Sequence, residues 1–439
     1  MLHPGKAQTF LFLVFVLAAF RLTAQTKKNQ TQSQSQTQTQ SQPQTGHFQD
    51  FLKKQLPQYN HLFDNKLKYR LQIIYIRIDR DSANVPHFTQ FSFNNNPELF
   101  FYCASTVKLP ASMLALEKIE TLNKLGYSGL TRQSTMITDS VFYCEHRIAR
   151  DTSSENGLPS IENYIKKMLL VSDNVAFSRT YEFLTCDYIH TRLAEKGYPS
   201  MRLVNKLDAG CMGDTSKIAP PVYFLDSKND TIYRQTFIQK STMDLPSPIP
   251  DAKVGTAHHD NWDRKVPGPK DFSRHNYIPL QNLSDILKSL VFMPYINSPW
   301  KLNPDDRLFL LKQMGMMPRE SAWPRYSFPT YYDSYKKYLL YGSMVPKIRS
   351  DSVRSFNIVG QAYGFLTDCA YIVDVKNKVE FLLAATIYVN ESEDVGSGNY
   401  QTHKTGLPFL RDLGYCLYRT ELLRKKAILP DLSEFNFYN

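Results

Sequence analysis

The chain carries strong β-strand patterns near both of its ends and helical patterns between them. Four segments are rich in bulky β-forming residues and predict strands, two near each end: 71–79, 88–93, 364–374 and 379–389. Four others have the apolar spacing of helices: 105–126, 161–170, 175–184 and 407–424. This order predicts an α/β (α+β) sandwich, in which an antiparallel sheet built from both chain ends is flanked by helices and joined by an all-helical subdomain.

The N-terminus has the pattern of an export signal. Lys6 precedes an unbroken apolar run, Phe10–Phe20, which is too short to span a bilayer, and the small residue Ala24 follows it. This pattern predicts a signal peptide over residues 1–24, and an N-terminal anchor that is never cleaved is the alternative. We therefore expect a periplasmic or secreted protein with no stable membrane insertion after cleavage.

Residues 25–47 consist almost entirely of Gln, Thr and Ser, and they predict a disordered linker because none of their side chains can join a core. The chain as a whole is 42% hydrophobic, which is typical of a globular protein. One folded domain is predicted over residues 48–435, with a surface insertion at about 207–300. A monomer is expected.

Charge and cysteine content restrict the partners and cofactors. The net charge of +11 favours anionic partners, among them acidic polymers, lipid headgroups and carboxylate-bearing substrates, and charge alone does not choose between them. Six cysteines show no Cys-x-x-Cys spacing, so disulfides outside the cytoplasm are permitted but structural zinc is not predicted: 103, 144, 186, 211, 369 and 416. His258-His259-Asp260 lies in a loop-like segment, where adjacent histidines point apart, so we predict no metal site.

The first candidate site is Ser105-Thr106-Val107-Lys108, at the start of a predicted helix. Residues three apart share a helix face, so the Lys108 amine can reach the Ser105 hydroxyl. A neutral lysine can accept the serine proton, and amides at a helix N-terminus can stabilise an oxyanion. The alternative is a capping serine beside a solvated lysine, because about two Ser-x-x-Lys matches arise by chance in a chain this long.

The second candidate is Ser172-Asp173-Asn174, between two predicted helices. Ser, Asp and Asn are preferred before a helix, so an N-cap is the alternative to a catalytic role, although the two roles are compatible.

Together, the two motifs match the first two of the three elements shared by class A β-lactamases and penicillin-binding proteins. The sequence around Ser105 resembles the nucleophile region of class A enzymes. The late part resembles secreted serine hydrolases of Bacteroidetes-type bacteria with a related domain, at residues 318–321 (PRES), 331–335 (YYDSY), 359–368 (VGQAYGFLTD) and 406–410 (GLPFL). The resemblance covers roughly residues 50–435 and implies a β-lactamase/transpeptidase-like fold.

The resemblance implies a role for each matching residue. Ser105 is the nucleophile and Lys108 its base, while Ser172 relays a proton to the leaving nitrogen. Asn174 binds the substrate amide, and the amides of Ser105 and Gln361 form the oxyanion hole beside Gly360. No metal or organic cofactor is expected.

The third motif departs from the family pattern. The literal Lys404-Thr405-Gly406 lies after both late strands, so we interpret it as a chance match. The expected position is the strand 356–360, where Gly360 fits the glycine but Ile358 replaces the lysine. Isoleucine supplies no charge, so activity is expected to be attenuated unless another cation, such as Arg354 or Lys404, substitutes.

The loop that activates water in class A enzymes is also absent. Residues 185–225 contain no Glu-x-x-Leu-Asn, which leaves the residue that promotes deacylation unassigned. The predicted function is a class A-type serine hydrolase that is acylated at Ser105 by β-lactam amide bonds and contributes to antibiotic breakdown and response. The alternatives are a penicillin-binding protein with weak turnover, a non-catalytic cell-wall-peptide-binding protein of the same fold, and a general secreted esterase. The expected partner is a small β-lactam or a cell-wall peptide, with no nucleic acid.

Overall fold

The computed structural model describes residues 45–142, 145–207, 217–235, 238–243, 249–349 and 352–437. The predicted signal peptide, most of the predicted linker, Cys144 and Cys211 lie outside these residues. The described α-helices are α1 (Thr45–Gln55), α2 (Asn60–Asp64), α3 (Lys108–Lys124), α4 (Ile161–Val171), α5 (Asn174–Leu184), α6 (Cys186–Glu195), α7 (Leu280–Val291), α8 (Pro304–Gly315), α9 (Tyr338–Tyr341) and α10 (Leu407–Leu423).

Fifteen strands are described, five of them in the main sheet. The strands are β1 (Gln72–Arg80), β2 (Pro86–Phe93), β3 (Thr135–Thr138), β4 (Ile218–Ala219), β5 (Val222–Leu225), β6 (Thr231–Gln235), β7 (Gln239–Lys240), β8 (Lys253–Val254), β9 (Ala257–His259), β10 (Lys265–Pro267), β11 (Lys270–Asp271), β12 (Val353–Ala362), β13 (Phe365–Asp374), β14 (Val379–Tyr388) and β15 (Asp394–Val395).

The main sheet joins the two ends of the domain. Its order is β12-β13-β14-β1-β2, and every neighbouring pair is antiparallel. The register places Ile74 of β1 opposite Ala384 of β14, so the N-terminal hairpin extends the C-terminal three-stranded meander. The predicted fold class is therefore confirmed, and β12 is an edge strand.

The central strands are buried because helices cover both faces of the sheet. Successive side chains of a strand point to opposite faces. Accordingly, Ile74 belongs to a core that contains the apolar side chains of α3, and Ile73 belongs to a second core that contains the inner face of α10. The two faces thus have different neighbours, and the helix that follows Ser105 lies on the first.

The sequence predicted the long elements better than the short ones. The helix predicted from residue 105 is a 3₁₀ turn, Ala104–Val107, followed by α3. The surface insertion predicted at about 207–300 is too long, because α7 packs in the first core with Leu283 and Leu287 fully buried. The preceding part of that insertion contains strands of two to five residues, which have too few side chains to show a period.

Across the described ranges, no helix is both long enough and apolar enough to cross a bilayer.

Candidate active site

Ser105 lies in a tight turn at the edge of the main sheet. The Cys103 carbonyl accepts hydrogen bonds from the Thr106 amide (3.1 Å) and hydroxyl (2.9 Å), which close the turn. Ala104 has φ +46°, a left-handed conformation that costs an L-residue roughly 1–2 kcal/mol. The surrounding contacts hold this conformation and leave Ser105 half-buried, between the core and the surface.

Gly360 lets the edge strand β12 approach this turn. A Cβ atom at Gly360 would lie 2.3 Å from the Cys103 carbonyl oxygen and 3.1 Å from Cγ2 of Thr106. Any larger residue would therefore displace the strand or the turn. Glycine is therefore required here for close packing. The backbone of Gln361 lies one residue farther along the same strand.

The second motif forms a sharp corner between α4 and α5. Ser172 ends α4 in a left-handed conformation (φ +64°), and its amide donates to the Met168 carbonyl at 3.1 Å. The Asp173 carboxylate accepts from the Ala176 amide at 2.7 Å and so caps α5. The N-cap interpretation is therefore correct for Asp173, while the residues on either side of it turn toward Lys108.

Lys108 is the centre of the site. Its amine lies 2.9 Å from Ser105 Oγ, 3.0 Å from Ser172 Oγ and 2.7 Å from Asn174 Oδ1, and it also donates to the Ser172 carbonyl. The carbonyl and the Asn174 oxygen can only accept, so they use the two N–H groups of a neutral amine. The nitrogen lone pair then remains available to a serine hydroxyl.

Burial favours this neutral form. The Lys108 side chain is 0% exposed, and this desolvation lowers its pKa well below the ordinary value of 10.5. The charge on Lys336 lowers the pKa further, while Asp173 opposes the shift. A buried amine of lowered pKa in contact with a half-exposed serine has the properties of a general base.

The remaining predicted residues border the same corner and edge. Asn174 is exposed, and Ser172 is half-buried. The Gln361 side chain is exposed, and its Oε1 atom accepts a hydrogen bond from the Tyr338 hydroxyl at 3.1 Å. The structure thus joins Ser105, Lys108, Ser172 and Asn174 through a single amine and packs Gly360 against the Ser105 turn.

The literal third motif lies elsewhere. Lys404 is exposed in a π-helical turn, Thr402–Gly406, directly before α10. Gly406 packs against Leu366 and Val389, which belong to the core on the sheet face opposite α3. Lys404 therefore does not replace the missing lysine.

The expected position of the third motif is apolar. Ile358 is fully buried in the core that contains α3. The other suggested cation, Arg354, bonds both carboxylate oxygens of Glu320, at 3.0 and 3.1 Å. Arg354 is thus paired with Glu320.

The sequence analysis missed one residue of this neighbourhood, Lys336. Its amine donates to the carbonyls of Met168 and Leu169, both at 3.1 Å, in the last turn of α4. The available signal was a pair of lysines, Lys336-Lys337, between tyrosines shortly before a strand that lacks the expected lysine.

No described acid of the 185–225 region contacts the site. Asp187 accepts from the Ser241 hydroxyl, and Glu195 pairs with Arg192. Asp208 and Asp214 lie outside the described residues. Among the described residues of this region, neither Asp187 nor Glu195 is a hydrogen-bond partner of Lys108.

The histidines of the 258–260 segment and a group of tyrosines near residue 335 have structural partners. His259 contacts Asp263 at 2.8 Å, His258 contacts the Gly268 carbonyl at 2.9 Å, and no group of three metal-ligating side chains occurs in the described part of the chain. Tyr335 packs edge to face against Tyr331 and Tyr332, with ring centres 5.2 and 5.4 Å apart.

Comparison with known proteins agrees with the motifs. Residues 84–232 match the model of a family described as the beta-lactamase enzyme family. This segment is about a third of the chain and contains both Ser105-x-x-Lys108 and Ser172-Asp173-Asn174. No curated protein is similar enough in sequence to match the chain.

Several solved structures resemble the chain remotely. A beta-lactamase from Sphaerobacter thermophilus has 11% identity and a TM-score of 0.43 over 83% of this chain and 96% of that one. A beta lactamase from Xanthomonas campestris has 13% identity and a TM-score of 0.45 over 84% of this chain and 97% of that one. PBP-A has 14% identity and a TM-score of 0.43 over 84% and 96%.

The family match bears out the predicted resemblance at the level of the β-lactamase/transpeptidase-like superfamily. It supports a hydrolase with the β-lactamase fold.

Proposed function

We propose that the protein is acylated at Ser105 by cyclic amides of the β-lactam class. The observation that carries the proposal is the buried Lys108 amine in contact with Ser105, Ser172 and Asn174. A solvated lysine beside a capping serine would have neither this burial nor these acceptors.

The acylation step uses three of these side chains. Ser105 Oγ attacks the carbonyl carbon of the lactam and transfers its proton to the Lys108 nitrogen. The carbon–nitrogen bond of the ring then breaks, and the leaving nitrogen receives a proton through the Ser172 hydroxyl, which lies 3.0 Å from the amine. The product is an ester between the opened substrate and Ser105. The step neither gains nor loses a proton overall, because the proton taken from Ser105 is replaced by the one delivered to the leaving nitrogen.

The exposed groups bind the substrate in this proposal. The Oδ1 atom of Asn174 is occupied by Lys108, so the donor Nδ2 is the atom that meets a substrate carbonyl. The amides of Ser105 and Gln361 stabilise the oxyanion, a contribution typically worth about 2.7–4 kcal/mol for one donor. Gly360 sets the distance between the two amides.

Slow release of the acyl group is the second part of the proposal. The sequence lacks the Glu-x-x-Leu-Asn loop, and none of the described acids of that region contacts Lys108. These observations favour penicillin-binding behaviour, in which acylation is followed by weak turnover, over efficient antibiotic destruction. The N-terminal export pattern supports a periplasmic or secreted location.

The test combines a fluorescent penicillin with a chromogenic cephalosporin. The mature protein is incubated with the first, the adduct is mapped by mass spectrometry, and hydrolysis of the second is followed by absorbance. We expect a label on Ser105 and slow or undetectable turnover. A folded protein that takes up no label at high penicillin concentration would contradict the proposal, and rapid turnover would contradict its second part.

A further inference from the structure

A buried lysine outside the three motifs lies behind the candidate active site. Lys336 is 5% exposed and comes from the segment just before α9. Its amine donates to the carbonyls of Met168 and Leu169 at the C-terminal end of α4. A cation is favoured at this end of a helix because the carbonyls of the last turn carry partial negative charge.

These contacts connect Lys336 to the catalytic corner. The Met168 carbonyl also accepts the amide hydrogen of Ser172, at 3.1 Å. The carbonyl of Ser172 in turn accepts from Lys108. Lys108 therefore contacts the left-handed Ser172 corner directly, and Lys336 contacts the turn of α4 to which the Ser172 amide is bonded.

We propose that Lys336 is a positioning residue of this site, and the inference rests on the proposed acylation at Ser105. Lys336 fixes the turn of α4 that carries Ser172, and it places a positive charge beside Lys108. β12 carries the buried Ile358 where the resemblance implies a lysine, and in this proposal Lys336 supplies a positive charge near the site from another segment.

The charges around the two amines agree with this division of roles. Lys108 is surrounded by acceptors that suit a neutral amine, and Lys336 lowers its pKa, whereas Asp173 raises it. Burial lowers the pKa of Lys336 to about 7, and Asp368 opposes this shift. Because the amines interact, the pair titrates in coupled steps. In this proposal the last proton stays on Lys336, because its acceptors lie at the negative end of α4, and Lys108 is the neutral member of the pair.

The adjacent lysine provides a matched control. Lys337 is equally buried, at 5% exposed, but its amine points to β12 and donates to the Ser355 carbonyl and Asn357 Oδ1, both at 2.7 Å. It makes no described hydrogen bond to α4. Lys337→Met therefore removes a buried lysine of the same segment without touching the Ser172 corner.

The experiment measures the pH dependence of Ser105 modification by a fluorophosphonate, which reacts with activated serines whatever their natural substrate. Lys336→Met removes both the contact with α4 and the charge, and Lys336→Gln retains a hydrogen-bond donor but removes the charge. In the wild type, the rate of modification should rise with pH as Lys108 loses its proton. We expect this rise to occur at higher pH in both variants, with modification at pH 7 at least tenfold slower than in the wild type. Lys337→Met should keep the pH profile of the wild type, and circular dichroism would verify the fold of each variant.

The outcomes separate the two proposals. Folded Lys336 variants with the pH profile of the wild type would overturn the role of Lys336, even if penicillin labels Ser105. Modification by the phosphonate with the expected shift, but no penicillin adduct, would support Lys336 and reject the β-lactam substrate. A wild-type Ser105 that reacts with neither probe would overturn both.

Discussion

Two lysines of this chain stand in short motifs of comparable appearance, and their surroundings differ completely. Lys108 is fully buried and contacts two serines and Asn174. Lys404, in a literal Lys-Thr-Gly, is exposed at the start of α10 and lies by the opposite face of the sheet. The difference teaches that a motif marks chemistry only where the fold removes the amine from water and surrounds it with acceptors.

The largest effect is expected at the nucleophile. Ser105→Ala removes the only atom that forms the ester, so penicillin labelling should fall below detection, by more than about 10³-fold. Ser112→Ala is the control, because the Ser112 hydroxyl donates to the Lys108 backbone carbonyl and not to its amine. Intact-mass spectrometry after a fixed incubation gives the result, and an adduct on Ser105→Ala would place the nucleophile elsewhere.

The next effect is expected at the base. Lys108→Met has a similar length and suits the buried environment, but it has no nitrogen to accept the serine proton. We expect acylation to slow by about 10²–10⁴-fold, the usual contribution of a general base. Stopped-flow or gel-based labelling measures the rate constant. An unchanged rate with an intact fold would show that another group deprotonates Ser105.

A smaller effect is expected at the contact between β12 and the Ser105 turn. Gly360→Ala puts a Cβ 2.3 Å from the Cys103 carbonyl oxygen, so the strand and the turn must separate. We expect a loss of about 1–3 kcal/mol in the free energy of unfolding, from overpacking, and acylation slower by about 10–100-fold, from the displaced oxyanion donors.

Gly46→Ala is the matched glycine variant for that experiment. Nothing lies within 4 Å of the Cβ it would add, so its unfolding midpoint in urea should stay close to that of the wild type. Equal destabilisation of the two variants would mean that Gly360 is not required for close packing.

The smallest effect is expected at the literal third motif. Lys404→Ala removes an exposed side chain from the sheet face opposite Ser105. Stability should change by no more than about 0.5 kcal/mol, and the acylation rate should stay within twofold of the wild type. A large loss of labelling would mean that Lys404 reaches the site and would remove the contrast with Lys108.

The parts of the molecule that the sequence predicts have a local signal. The strands near both ends show a two-residue period or an apolar run, so each is predicted from its own residues. In the structure they pair antiparallel in one sheet. The contact between Ser105 and Lys108, which are three residues apart, requires only a helical turn. Gly360 and Ser172 were placed by the order of the family's motifs and could not be placed by spacing alone.

The missed parts depend on contacts between distant segments. Lys336 reaches a carbonyl 168 residues away in the chain, and no periodicity encodes such a contact. The short strands between residues 218 and 271 are likewise set by their neighbours, because two to five residues are too few to establish a period. The end of the predicted surface insertion was wrong for a related reason: α7 is amphipathic, and only the fold shows that its apolar side is covered.

The central claim is that Lys108 is a neutral base, and it is tested most directly by NMR titration of the protein labelled with ¹³C at lysine Cε. The resonance that disappears in Lys108→Met identifies the group. A basic group of lowered pKa loses its proton at lower pH than usual, so we predict that this resonance titrates well below the ordinary value of 10.5. A Lys108 resonance that stays in its protonated position up to pH 10 would contradict the account.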